Sequence, residues 1–444
     1  MKNQLLIIAI LGALASATQA QADQTAPLVP SKALATDQNG EPLTSGSTAV
    51  MLYDNASTVM HMYGIVEATI SRVNHQTAGG GTTAGFQTSW FSGNRLGFDA
   101  DHELAFGSEI GLPGLKVISK LETEFELPTG NSDTANVLFN RDAWMGLYSD
   151  DLGKITLGRQ NTLTRDFTAN WGDPYGGASV SLKEGGYSNV NNFKQFIFYS
   201  GGATGTRLNS AIEWKKKLDA HWLAGLGYGF GSKGAGGSGD VGTGGSVPGD
   251  FTSGTTQEAS IAYNNLELGD AKLNLNVSYN RANVADLIHQ SELIGGNVTI
   301  GPIRFNTGVV HYTAQQGADN SIGTRTDNSW TTSVSFMPEG RMKYDLGYQQ
   351  MKGKHAGSVG SGNVVNPFGN TSGVTAVADG GKNTLYGSVV FRADKQTDFY
   401  VAADYFTVTG DWVVGDAQGN GNHFGGTNTY KDEIETAVGI RYKF

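Results

Sequence analysis

The chain has 444 residues, a net charge of -10, 63 glycines, no cysteine and 16% charged residues. The negative balance argues against nucleic-acid binding, which needs a basic footprint, and no apolar run beyond the N-terminus reaches the ~20 residues of a membrane-spanning helix. Charged residues fall short of the ~25% usual in soluble domains while glycine is about double its usual ~7%, a balance suited to many strands joined by glycine-rich loops.

Lys2, the apolar run Leu5–Leu14 and the small-residue site Ala20-Gln21-Ala22 read as a secretory signal peptide over residues 1–22. The absence of cysteine fits a chain that crosses an oxidising compartment. Residues 23–57 are polar, hold Pro27, Pro30 and Pro42, and show no period. They read as a flexible N-terminal extension ahead of one domain over 58–444.

From Thr58 onward, segments with alternating apolar and polar residues are separated by polar connections. Alternation places successive side chains on opposite faces of a strand. The pattern predicts strands at Met62–Ile70, Arg95–Ala100, Leu115–Phe125, Phe139–Tyr148, Ile155–Gln160, Arg207–Trp214, His221–Phe230 and Glu258–Leu268. It continues at Ala271–Asn280, Glu292–Ile300, Ile303–Tyr312, Trp330–Met337, Arg341–Gln349, Thr384–Arg392 and Asp398–Thr409. The last segment, Glu433–Phe444, is the clearest. Ile434, Val438, Ile440, Tyr442 and Phe444 share one face, and Glu433, Glu435, Arg441 and Lys443 the other. About sixteen strands result, an even number inside the ~8–26 range of bacterial outer-membrane barrels.

The connections alternate in length. Gly269-Asp270 and Gly301-Pro302 are short, whereas Asn74–Phe91, Ser232–Thr255, Gly353–Gly381 and Asp411–Lys431 are long. That alternation fits periplasmic turns and extracellular loops. The longest connection, from Asn161 to about Thr206, holds Phe167, Trp171, Tyr175, Tyr187, Phe193, Phe196 and Phe198. A loop so long and so aromatic must pack against something. Folding into a barrel lumen would serve, and Phe193–Tyr199 could form a small hairpin there.

A series of short motifs runs through these segments: Tyr63-Gly64-Ile65-Val66-Glu67, Asn94-Arg95-Leu96-Gly97-Phe98, Gly114-Leu115-Lys116 with Leu121-Glu122, and Phe139-Asn140-Arg141-Asp142-Ala143-Trp144-Met145-Gly146-Leu147. Gly153–Gln160, Asp173-Pro174-Tyr175-Gly176-Gly177, Arg207-Leu208-Asn209-Ser210 and the closing Tyr442-Lys443-Phe444 continue it. Taken in this order, the set resembles the general trimeric porin family of Gram-negative outer membranes, in its beta-proteobacterial branch. The resemblance implies an all-β transmembrane barrel of 16 antiparallel strands with long extracellular loops and an inward-folded third loop. It implies a homotrimer in the outer membrane that conducts ions and small hydrophilic solutes. Lipid, lipopolysaccharide and the outer-membrane assembly machinery are its implied partners, and no cofactor is implied.

Family constrictions oppose basic wall residues to acids on the third loop. By position, Arg95, Arg141 and Arg159 resemble the wall cluster, and Asp166 and Asp173 the loop acids. Strand parity adds Lys116, Lys120 and Arg207 to the basic set, and its place in the loop adds Glu184 to the acids. Phe444 resembles the terminal assembly signal. A basic position common on the family's first strand is Ile65 here. Asp142 is discordant, because parity sets it on the outer face beside Trp144.

Three rivals compete. An enzyme housed in a barrel lacks support: none of the eight histidines stands in a metal-ligand spacing such as H-E-x-x-H. An adhesin rests on Gly236–Gly245, one imperfect copy of a calcium-binding repeat that cannot stack alone. A substrate-specific channel with a saturable site is the closest rival, given the aromatic third loop.

Overall fold

The computed structural model describes residues 49–75, 80–87, 89–91, 93–134, 136–167, 207–231, 254–337, 339–359, 363–364, 371–412 and 430–444. Strands β1 (Val50–Asp54), β2 (Thr58–Val73), β3 (Thr83–Gln87), β4 (Asn94–Glu103), β5 (Lys116–Phe125), β6 (Asp142–Ser149) and β7 (Gly153–Asn161) come first. A short helix α1 (Leu163–Phe167) precedes β8 (Arg207–Lys217), β9 (Trp222–Gly229), β10 (Thr256–Leu268), β11 (Ala271–Val284), β12 (Leu287–Ile300) and β13 (Ile303–Gln316). The chain ends with β14 (Gly323–Phe336), β15 (Met342–Val359), β16 (Asn363–Val364), β17 (Ala376–Arg392), β18 (Thr397–Gly410) and β19 (Asp432–Lys443).

Apart from β1, β3 and β16, each strand pairs antiparallel with the next, and β19 returns to β2 from Glu435↔Val73 to Lys443↔Ile65. The sheet is therefore a closed barrel of sixteen strands, which leaves it no free edge. The terminal residue completes the seam, since Phe444 and Gly64 exchange both backbone hydrogen bonds. The Phe444 ring lies over Gly64, where a Cβ would stand 2.5 Å from Cζ. Only glycine fits under that ring.

Side-chain parity explains the solvent relations. In β19, Glu433 and Glu435 are wholly buried while Ile434 is 48% exposed. The same inversion runs round the barrel. Ile70, Met145, Leu157, Leu226, Ile294, Val309, Leu346 and Leu385 stand on the outside, while Asn276, Asn280, Asp327, Lys343, Gln349 and Arg441 are buried inside. A continuous apolar exterior over a polar interior suits lipid outside and water within. Aromatic pairs mark the lower margin of the apolar band: Trp222 on Tyr263, Phe336 on Tyr344, and Tyr442 on Phe444. Amphipathic rings of this kind settle at the membrane–water interface.

Several expectations are corrected. The end of the N-terminal segment is ordered structure: β1 pairs with β2 from Val50↔Met62 to Asp54↔Val59. The rest of 23–57, and the signal segment, lie outside the described residues. The fourth segment begins at Asp142, so Phe139, Asn140 and Arg141 precede the strand. Residues 281–284 and 287–291, left between two predicted strands, belong to β11 and β12. These strands meet in a two-residue turn, Ala285-Asp286, with φ of 50° and 67°. Two left-handed residues make the tight hairpin turn that matches strand twist, and neither is the glycine that usually signals it. The strands also run longer than the alternation indicated, because polar residues occupy both faces near the rims.

Candidate pore constriction

The inner wall from β4 to β8 gathers most of the charged side chains expected there. Parity along β5 sends Lys116, Ile118, Lys120, Glu122 and Glu124 inward, opposite Glu103, Asp101, Asp99, Gly97 and Arg95 of β4. Glu122 is the centre of the group. The Arg141 guanidinium donates to both Glu122 and Glu124, and Tyr63 donates its hydroxyl to Glu122 Oε2 at 2.8 Å. Lys120 reaches Asp142 at 2.9 Å and Glu122 at 3.6 Å. Arg95 and Arg207 also bear electrostatically on Glu122. The buried Nε of Arg207 meets no hydrogen-bond partner among the described residues. Four cations thus stand against the three carboxylates Glu122, Glu124 and Asp142.

Asp142 is on the inside, contrary to the parity expected. The register pairs Glu122 with Asp142 and Lys120 with Trp144, so both Asp142 and Trp144 point into the lumen. Trp144 misleads as an apolar marker, because it stacks under an inward lysine: Lys154 Nζ lies 4.5 Å from its ring centre. Arg141 reaches the lumen because it precedes the strand and escapes its alternation.

Arg159 departs from the expected cluster. It pairs across the sheet with Ala143, on the side of Met145 and Leu157, both more than half exposed. Its Nε donates to the Asn140 carbonyl at 2.9 Å and its Nη1 to Asn209 Oδ1 at 2.5 Å. A break in register between Gly158 and Gln160 accompanies the shift. Lys116 is inward, but its 3.1 Å ion pair joins it to Asp101. It sits four strand residues below Lys120, about 13 Å nearer the periplasmic turns.

The third loop begins with α1, whose seating is explicit. Leu163 and Phe167 pack on Leu223 and Ala262, over the glycine floor of Gly225 and Gly227. Glu258 of β10 accepts the Leu163 backbone N–H at 2.7 Å. Asp166 pairs with Lys215 of β8 and accepts from Asn161 Nδ2 at 2.8 Å. Lys215 also meets Glu213 at 3.1 Å. Asp166 is thus a loop acid facing a basic wall residue. Asp173, Glu184, Phe193–Tyr199 and Gly236–Gly245 lie outside the described residues.

Sequence reasoning missed Glu122, Glu124, Lys154, Lys215 and Glu258. Parity along the predicted Leu115–Phe125 and Glu258–Leu268 segments would have reached Glu122, Glu124 and Glu258, whereas Lys154 and Lys215 stand one residue beyond the predicted segments.

Comparisons with known proteins agree with this architecture. A family model described as Gram-negative porin matches residues 8–411. An outer membrane porin protein of Bordetella pertussis is 30% identical over 130 residues, 27% of this chain. That match spans about a third (32%) of the curated relative. Among solved structures, the anion-selective porin from Comamonas acidovorans superposes with a TM-score of 0.60 at 20% identity, covering 87% of this chain and 100% of that one. The trimer form of OmpT from Vibrio cholerae gives 0.53 at 14% identity, covering 87% and 100%. These likenesses carry the fold, and the family model spans most of the sequence. The chain belongs to the Gram-negative porin family and is an outer-membrane β-barrel.

Proposed function

We propose that the barrel is a passive, water-filled channel, rather than an enzyme, for ions and small hydrophilic solutes. The observation that carries this reading is the inward group of Arg95, Lys120, Arg141 and Arg207 around Glu122. Charges of both signs on a narrow wetted wall set a transverse field that favours polar solutes over apolar ones. Low-dielectric walls focus that field, so the local group governs selectivity despite the chain's negative total. The group around Glu122 has one cation in excess and favours anions weakly. Asp166 of the third loop meets the wall at Lys215, the further acids Asp173 and Glu184 expected from the sequence are taken as its counterparts in that loop, and Lys116 is a lower station on the path.

The protein works as a homotrimer. The outward patch of Arg159, Asn209 and the Asn140 carbonyl supports this. An arginine facing lipid costs ~2–4 kcal/mol at the bilayer midplane and ~0–1 kcal/mol toward the rim, where Arg159 stands near the extracellular end of β7, and that cost is removed when a second copy covers it. Lipid and lipopolysaccharide surround the remaining apolar belt, and Phe444 addresses the chain to the assembly machinery.

Single-channel recording in planar bilayers tests the proposal. Stepwise conductance in groups of three is expected, with a reversal potential of anion sign in a KCl gradient. Replacing Arg95, Arg141 and Arg207 together by serine shifts that potential toward cations. Well-folded protein that passes no current overturns the reading.

A further inference from the structure

The first extracellular connection returns to the barrel through Ser89, Trp90, Phe91 and Gly93, and these residues do not stay on the rim. Trp90 and Phe91 are 3% and 7% exposed and pack against Val390, Tyr400, Ala402 and Ala437. All four belong to the inward faces of β17, β18 and β19, so the two rings lie on the lumen side of the wall. Their backbone is fastened there. Glu67 Oε1, on the inward face of β2, accepts the N–H of Trp90 at 2.6 Å and that of Phe91 at 2.8 Å. It also accepts the Tyr400 hydroxyl at 2.8 Å. The Phe91 ring meets Tyr400 edge-on at 4.6 Å, with the Arg441 guanidinium 5.9 Å away.

We propose that this strap is a second constriction element, which narrows the channel from the β17–β19 wall and sets the position of Arg95. Its place supports the first part. The barrel has sixteen strands, and the strap rests on β18 while α1 rests on β9, eight strands away on either path. The two inward folds face each other across the lumen, and the cationic arc of β4–β8 lies between them. The second part follows from the strap's end. Arg95 Nε donates to the Gly93 carbonyl at 3.1 Å. Gly93 lies so close under Glu124, a partner of Arg141, that a Cβ there would stand 1.7 Å from Oε1. A buried carboxylate that accepts several N–H and O–H donors holds them firmly, so the strap is part of the wall.

The inference rests on the channel reading, and its test separates the two. The double variant Trp90→Ala/Phe91→Ala removes the rings that seat the strap and leaves every barrel strand intact. Its single-channel conductance rises on the order of 1.5- to 2-fold, and larger neutral sugars enter liposomes. The reversal potential moves as well, because Arg95 loses its fixed partner. Tyr400→Phe is the milder variant. It withdraws one hydroxyl from Glu67 without changing charge, and the current becomes noisier at slightly raised conductance. Both variants are first checked for the heat-modifiable mobility of folded barrel on unheated gels. Folded variants with wild-type conductance and a steady trace overturn the strap, whereas a silent wild-type protein overturns the channel reading itself.

Discussion

Carboxylates serve two separable purposes in this molecule. Glu122 and Glu67 face the lumen and hold other side chains or backbone in place, whereas Asp394 shapes a periplasmic turn. Asp394 accepts the backbone N–H of Gln396 at 2.8 Å and of Thr397 at 2.7 Å. Those bonds, that of Gln396 foremost, hold its carboxyl below the usual carboxylate range. A depressed folded value means stability that is present above the unfolded value and lost as pH falls through the folded one. Asp394→Ala therefore lowers stability at neutral pH by about 1 kcal/mol or less, given the solvent around the turn. The difference between variant and wild type closes in acid below the ordinary carboxylate range, as thermal melts in detergent at several pH values would record. A uniform difference at every pH counts against this account. At this scale the sequence is only partly legible. Parity sends Lys120 inward, where it meets Asp142 and Glu122, but it fails where an inward tryptophan imitates an outward one beside Asp142, and position in the family pattern does not foresee the register break at Arg159.

Among the elements, α1 shows how a five-residue helix can be placed without strong propensity of its own. Isolated helices this short do not persist in water. Its order comes from Leu163 and Phe167 on the glycines of β9 and from the Glu258 carboxylate at its first turn. A Cβ at Gly225 would lie 2.9 Å from Phe167 Cε2 and 3.1 Å from Leu163 Cδ2. Gly225→Val therefore displaces the root of the third loop, costing ~1–3 kcal/mol by overpacking. The expected record is a lower melting temperature together with altered conductance, and a variant unchanged in both would show that the floor does not position the loop. The glycines of β9 were legible as part of a strand. Their purpose was not, because local pattern does not reveal which distant segment will lie upon them. The turn at Ala285-Asp286 was hidden for a related reason: backbone handedness leaves no mark when glycine is absent.

For the whole molecule, lipid outside and water inside impose a period of two on every strand, so sixteen strands could be counted from the sequence alone. Loops obey no such rule. The inward fold of the third loop was expected, but its seat on β9 and β10, like the inward path of Trp90 and Phe91, depends on partners far away in sequence that only the structure reveals. The same contrast bears on assembly of copies. Arg159 breaks the apolar exterior at β7, and the proposed trimer covers it. Arg159→Leu restores a uniform apolar face, removes the bonds to Asn140 and Asn209, and leaves the barrel itself folded. Its trimers dissociate to folded monomers at a lower temperature on unheated gels. Trimers as heat-resistant as wild type would place that arginine outside the interface.

The seam has a practical consequence. Phe444 ends opposite Gly64, and the next places on the same edge of β2 are already taken, with Val50 opposite Met62 and Met51 opposite His61. A residue appended after Phe444 would run straight into β1. An affinity tag at the C-terminus would thus compete with the chain's own first strand for one row of hydrogen bonds, and would burden the ring that sits on Gly64. Purification handles and fluorescent fusions belong in the surface-exposed connections, and a C-terminally tagged preparation that yields little folded barrel would report a crowded edge, not an unstable protein.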